Sequence, residues 1–410
     1  MLYANSLKKE ELMEPITVLL ICTAALYFSA ELLLLIGIPR VVSQILAGIA
    51  FGIPAIKSII FTPESYSIIE FLAYIGAILL LFFVGLQMNL KKFEKNVGVS
   101  LWISFFNTSM PLVFGFLASK YIFGFSNGVS FVIGICMSVS ATAFALDLLE
   151  EFGKLRTKLG TTIVTAGAID DIVEMALVTV ALAFIGEKIS GLSIIGILTT
   201  IFMFLAMLIA FRMILIPFVL KVVEKRGYRP ALFTGALIIT LVFAVTAEYI
   251  GVGALIGALF GGMLIKQVLL HDAGHRPWET AEISKAMHTM AFGFLVPFFF
   301  FSVGLNTDVI SIWHNLGFGI TITAITIVGT VFGTALGYWL IFKNWRDAWL
   351  AGWSLNAKGD TELVIGQLAL TAGIITSAVF SSLIFMAVIT TLISPLVVEH
   401  LIKKNMNKIK

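Results

Sequence analysis

Residues 159–186 read LGTTIVTAGAIDDIVEMALVTVALAFIG, an apolar run with two adjacent aspartates, Asp170 and Asp171, near its middle. A helix over this run is long enough to cross a bilayer. A carboxylate at that depth costs roughly 3 kcal/mol, so such residues face the protein interior and commonly line ion or proton paths. Two side by side cannot both ionise easily. One of them should then readily hold a proton, and a group that takes either a proton or a metal cation is what an exchanger needs. The competing reading is a satisfied buried pair with a structural role alone.

The rest of the chain carries the same membrane signature. Hydrophobic residues make up 59% of the 410 positions and charged residues 12%, with 35 phenylalanines. A soluble domain cannot hide that much apolar surface, so the composition points to an all-α polytopic membrane protein. The first fourteen residues are polar and charged (Lys8, Lys9, Glu10, Glu11, Glu14), and the apolar run after them is too long for the core of a cleaved signal. Cys22 and Cys136 both fall inside predicted spans, where each reads as a small packing residue rather than half of a disulfide.

Hydropathy divides the chain into thirteen candidate spans: 15–37, 42–56, 67–88, 98–119, 128–147, 159–186, 193–218, 230–248, 251–265, 286–303, 315–342, 347–371 and 374–399. With the N-terminus outside, the inner loops hold 20 of the 27 Lys and Arg and the outer segments 5, while Arg212 and Lys358 lie within spans. That bias predicts a multi-pass cell (inner) membrane protein with a cytoplasmic C-terminus. Glu31, in the first span, and Glu248, at the end of the eighth, read as interfacial or inter-helix contacts.

Two spans are interrupted. The fifth carries Ser138-Val-Ser140-Ala-Thr142-Ala, and the twelfth Asn356-Ala-Lys358-Gly-Asp360-Thr-Glu362. Hydroxyls can bond the backbone groups that a helix break frees, and the charged cluster is too polar to face lipid. Paired interruptions at matching places in two halves are the pointer to an inverted-repeat transporter with its site at the midplane.

Several segments in order strengthen this reading: Ile38-Pro39-Arg-Val-Val-Ser-Gln44 with Gly48 and Gly52-Ile-Pro54; Leu72-Ala-Tyr-Ile-Gly76; Phe82-Phe-Val-Gly85-Leu-Gln-Met-Asn-Leu90; the Ser140–Ala143 run with Leu148-Leu-Glu-Glu-Phe-Gly and Ala168-Ile-Asp170-Asp171-Ile; Gly257-Ala-Leu-Phe-Gly-Gly262; and Pro297-Phe-Phe-Phe-Phe-Ser-Val-Gly304. The chain resembles, over nearly its whole length, the sodium/hydrogen-exchanger membrane domain, in the Kef/NapA-like branch of the monovalent cation:proton antiporters. The resemblance implies an antiporter fold of about 13 transmembrane helices in which the two interrupted helices cross. It implies a core ion-binding bundle near 98–186 and 315–399, moving against a dimerisation bundle near 15–88 and 193–303 in a homodimer. It gives Asp171 the alternating binding of cation and proton, with Asp170 beside it and Ser140 and Thr142 completing the cation shell. Oxygen ligands suit a hard monovalent cation, Na+ or K+. No cofactor and no transition-metal site are expected. His271 and His275 have metal-like spacing, but only Asp272 and Glu279 lie near as further ligands.

The chain departs from that pattern at two points. Where electrogenic members place a lysine, it has Thr330, and no Lys or Arg occurs from 315 to 342. That favours electroneutral exchange, or a further cation or proton per cycle. Glu174 shares a helical face with the aspartates and stands as a ligand, a proton relay or a partner for Lys358. Lys358 reads as the balance for local carboxylates and helix ends, with Asp360 and Glu362 as candidate partners and Asn356 in the same cluster. Kef-type systems often append a cytoplasmic nucleotide-binding domain. This chain stops about ten residues after its last predicted span, so such control would need a separate cytoplasmic subunit. Rival classes fare worse. An intramembrane aspartyl protease brings its acids from separate helices, one within Gly-x-Gly-Asp, and here Lys358-Gly359-Asp360 lacks the first glycine. A cation channel or uniporter would share the buried acids but has no use for paired interruptions. No Walker loop is present to draw on ATP.

Overall fold

The computed structural model of the chain describes residues 2–87, 97–141, 157–163, 165–167, 169–170, 173, 177, 194–224, 229–271, 285, 287–359 and 361–406. All regular structure among them is helical. In lipid a backbone must bond to itself, and a lone segment can do so only as a helix. Eight described helices are long and apolar enough to cross a membrane, and each overlaps a span expected from hydropathy.

The second expected span, 42–56, is not one helix. It is α2 (Arg40–Gly52) and α3 (Pro54–Ile60), bent by 85° at Ile53. Proline disfavours the helical region for the residue before it. Ile53 is accordingly extended, with φ −57° and ψ 126°, and Pro54 starts a new helix. At the other end of α2, Arg40 pairs with Glu31, near the end of α1 (Leu2–Leu34), at 3.0 Å.

The chain forms two compact units, Met1–Gln87 with Ile194–Val309 and Met88–Ser193 with Ile310–Lys410. In the first, α4 (Pro63–Gln87) packs on α10 (Ala254–His271) and α11 (Val296–Leu305), and α2 packs on α11. Between them along the chain lie α5 (Val97–Leu117), α6 (Asn127–Ser138), α7 (Ile194–Ala210), α8 (Ile216–Glu224) and α9 (Arg229–Ile250). Glu248, near the end of α9, accepts the Ala254 N–H at 2.8 Å and so caps α10.

In the second unit α13 (Leu316–Phe342), which follows the short α12 (Val309–His314), lies along α5. Gly329, Gly333 and Gly337 recur every fourth residue, so they share one face. A Cβ on any of them would meet Pro111, Phe106 or Ile103 of α5. Small residues at this spacing let two membrane helices approach backbone to backbone. The unit continues with α14 (Trp345–Ser354), α15 (Thr361–Thr371) and α16 (Ser377–Met406).

Candidate functional site

Both interruptions are visible in the second unit. Helix α6 is capped at its start by Ser126, whose Oγ accepts from the Val129 N–H at 3.4 Å. It stops at Ser138, after which Val139 is extended at φ −64° and ψ 137°. Helix α14 is capped by Asn344, whose Oδ1 accepts from the Arg346 and Asp347 N–H groups. It ends at Ser354, and the chain resumes helical form only at Thr361. Gly359 makes the turn at φ 148°, where a side chain would be strained.

The two breaks meet. The Ala141 N–H donates to the Ala357 carbonyl at 2.9 Å. Thr391 donates to the Lys358 carbonyl, and Asn356 Nδ2 donates to Ser394 Oγ at 3.1 Å, both partners standing on α16. Backbone groups freed at the breaks are thus bonded within the protein, as buried groups must be.

Charge gathers at this crossing. Lys358 is wholly buried. Its ammonium donates to Ser140 Oγ at 3.0 Å and to the Ser138 carbonyl at 3.4 Å, at the negative end of the α6 dipole. Asp170, equally buried, stands on the helical stretch that includes residues 158–163 and 165–167. Its Oδ2 accepts from Asn107 Nδ2 at 3.0 Å and its Oδ1 from Thr108 Oγ1 at 3.2 Å. Asn107 Nδ2 also reaches Ser140 Oγ at 3.2 Å, while its Oδ1 accepts from Thr334 Oγ1 at 2.7 Å. One network therefore joins α5, the Asp170 helix, α13 and both breaks.

Of the residues singled out from sequence, Asp170, Ser140, Lys358, Asn356, Glu362 and Thr330 are described. Asp171, Thr142, Glu174 and Asp360 lie outside the described residues. Glu362 is buried in the first turn of α15, and its carbonyl accepts from Cys136 Sγ at 3.7 Å. Lys358 points to the broken end of α6, where a carbonyl and a hydroxyl offer oxygens close to the Asp170 network. Thr330 is buried on α13, one turn from Thr334, and its hydroxyl has no partner among the described residues. The site thus offers a carboxylate, a hydroxyl, a free-ended carbonyl and a fixed positive charge within one hydrogen-bonded group. Such oxygens suit a hard cation, and the carboxylate suits a proton.

The family model described as sodium/hydrogen exchanger, transmembrane, matches residues 16–404. The chain belongs to this family. Sodium/hydrogen exchangers are transporters, not enzymes, and work without a cofactor. This exchanger-family chain is 24% identical over 372 residues to the Na(+)/H(+)-K(+) antiporter GerN of Bacillus cereus, covering 91% of its own length and 92% of that protein's. It is 25% identical over 394 residues to a Na(+)/H(+) antiporter of Enterococcus hirae, covering 96% and 99%. Among solved structures, the sodium proton antiporter MjNhaP1 of Methanocaldococcus jannaschii matches with a TM-score of 0.66 at 16% identity, over 94% of this chain and 96% of that one. That likeness shows a shared fold.

Sequence reasoning missed Asn107, Thr108 and Thr334, which hold Asp170 in place. A signal was present: Asn107-Thr108-Ser109 is a polar triple in the middle of an apolar run. Glu70 was missed too. In the first unit it accepts from Ser302 Oγ at 2.8 Å and Asn306 Nδ2 at 3.2 Å, and Asn306 also accepts from Tyr66.

Proposed function

We propose that the chain is a secondary active antiporter that exchanges protons for Na+ or K+ by alternating access. Asp171 binds cation and proton in turn, with Asp170, Ser140 and Thr142 completing the site. The observation that carries this reading is the meeting of the two chain breaks at Ala141 and Ala357, beside buried Asp170 and buried Lys358. Discontinuous helices whose ends face a central charge are a recurring way to bind and release an ion within a membrane. The printed activities of the two bacterial relatives point the same way.

In this reading the second unit is the core that carries the ion, and the first is the dimerising scaffold of a homodimer. The fold has about 13 spans in inverted repeat, with the N-terminus outside and the C-terminus cytoplasmic. Exchange is electroneutral, because Thr330 and not a lysine stands on α13. Lys358 serves as fixed countercharge for the acids and for the end of α6. Glu174, Asp360 and Glu362 complete the charge balance.

The test is cation-driven proton movement in proteoliposomes with Na+, K+ and Li+ supplied separately. The membrane potential is clamped or free, and wild type is compared with Asp171→Asn. Proton flux that follows a cation, dies in the variant and ignores the potential is the expected result. Flux that responds to potential overturns electroneutrality. Cation flux without protons makes the protein a channel or uniporter.

A further inference from the structure

Hydroxyls in the helices of this chain usually bond back to their own backbone. Thr23, Thr240, Thr246, Thr323, Ser354 and Thr390 each donate to the carbonyl four residues earlier. Three on α5 depart from that habit. Thr108 turns to Asp170. Ser104, one turn earlier, is buried with its hydroxyl beside the Asp170 carboxylate, and its Oγ makes no well-aligned hydrogen bond among the described residues. Ser100, a further turn back, is likewise buried with an unpartnered Oγ.

Ser100, Ser104 and Thr108 stand four residues apart, so they line one face of α5. That face starts in the first turn of the helix, three residues after Val97, beside exposed Gly98. It ends on Asp170. The opposite face, with Trp102 and Val113, is exposed and apolar. Alongside run Leu159, Ile163 and Ala166 of the Asp170 helix, which pack with Ile103. Polar atoms in single file between apolar walls result.

The spacing has a chemical consequence. Four residues of helix rise about 6 Å, too far for one hydroxyl to bond the next. Two hydrogen bonds of about 2.8 Å through one water span that gap. Buried hydroxyls without protein partners are the groups that ordered water satisfies.

From this we infer that Ser100, Ser104 and Thr108 form a hydrated proton line from the start of α5 to Asp170. Cations do not travel it, because single hydroxyls a turn apart offer no shell to replace hydration. Ser100 and Ser104 are positioning residues for water, and Asp170 is the acid that the line serves. The inference rests on the antiport reading for its role, but the existence of the line does not depend on it.

Two measurements on the full-length protein in proteoliposomes test it. First, cation-driven proton flux is compared for wild type, Ser104→Ala, Ser104→Val and Ser100→Val, in H2O and D2O. Ser104→Val, which fills the space, should lower the maximal rate about ten-fold or more and raise the solvent isotope effect. The apparent cation affinity should stay within about two-fold, since that variant removes no cation ligand. Ser104→Ala should lose less, because water can take the vacated space. Second, in a Cys22→Ala, Cys136→Ala background, the S–H infrared band of Ser104→Cys should give way to S–D soon after transfer to D2O, whereas that of Trp102→Cys on the apolar face should exchange more slowly. A wild-type rate in Ser104→Val, or rate and cation affinity falling together, overturns the line. So does a thiol at 104 that exchanges no faster than the one at 102. If wild type moves no protons with any cation, the antiport reading fails, and the thiol exchange alone still decides whether the line holds water.

Discussion

Each of the two units of the chain is packed internally by similar contacts, yet they keep their polar groups in different places. In the first, Gly48 meets Phe301 and Gly304, and Gly262 meets Phe82, with no room for a side chain. Its carboxylates sit toward helix ends: Glu70 early in α4, Glu248 capping α10, and Glu31 exposed beside Arg40. The second unit has the same glycine packing along α13, but Asp170, Lys358 and Glu362 are buried within it. Glycine contacts make a rigid block in either unit. Buried charge makes a place where a proton or cation changes the energy, and only the second unit has one among the described residues.

Substitutions in the two units should therefore fail in different ways. The largest effect belongs to Lys358→Met, which leaves Asp170 and its neighbours without their buried countercharge. Unpairing a buried charge costs roughly 3–5 kcal/mol. Exchange in proteoliposomes should vanish, and full activity would break the contrast between the units. In the first unit, Gly304→Val should act through stability instead. Overpacking costs about 1–3 kcal/mol or more, so the melting temperature in detergent should fall, and protein that survives purification should exchange at the normal rate per molecule.

A finer contrast comes from two single hydrogen-bonding side chains. Asn107→Ala removes the donor to Asp170 and the acceptor for Thr334. A bond to a charged group is worth about 1.5–3 kcal/mol, and the loss should appear in the pH profile of exchange more than in the melting temperature. Glu70→Gln should lower the melting temperature slightly and leave that profile unmoved. The smallest effect should come from Arg40→Gln. Its pair with Glu31 is largely exposed and worth about 0–1 kcal/mol, so neither melting nor exchange should change measurably.

Much of this organisation is legible from residues alone. Lipid forces helices, and long apolar runs mark them, so each of the eight long helices overlaps a run that hydropathy picks out. The polar breaks at Ser138–Ala141 and Asn356–Lys358 are visible for the same reason: nothing else would place such residues in a span. The ordered motifs around Asp170 and Asp171 lead to the exchanger family that the family model matches.

What the string of residues does not hold is who stands opposite whom. Asn107, Thr108 and Thr334 are ordinary polar residues in apolar runs until α5 and α13 are pressed together by glycines and brought against Asp170. The sequence around Lys358 says nothing of its contacts with Ser138 and Ser140, some 220 positions away, which form because a helix break turns the chain. Composition and hydropathy act on each segment by itself, so sequence alone determined the long helices, the polar breaks at Ser138–Ala141 and Asn356–Lys358, and the buried Asp170. Hydrogen bonds between segments depend on packing angle and register, and those only the tertiary structure decided.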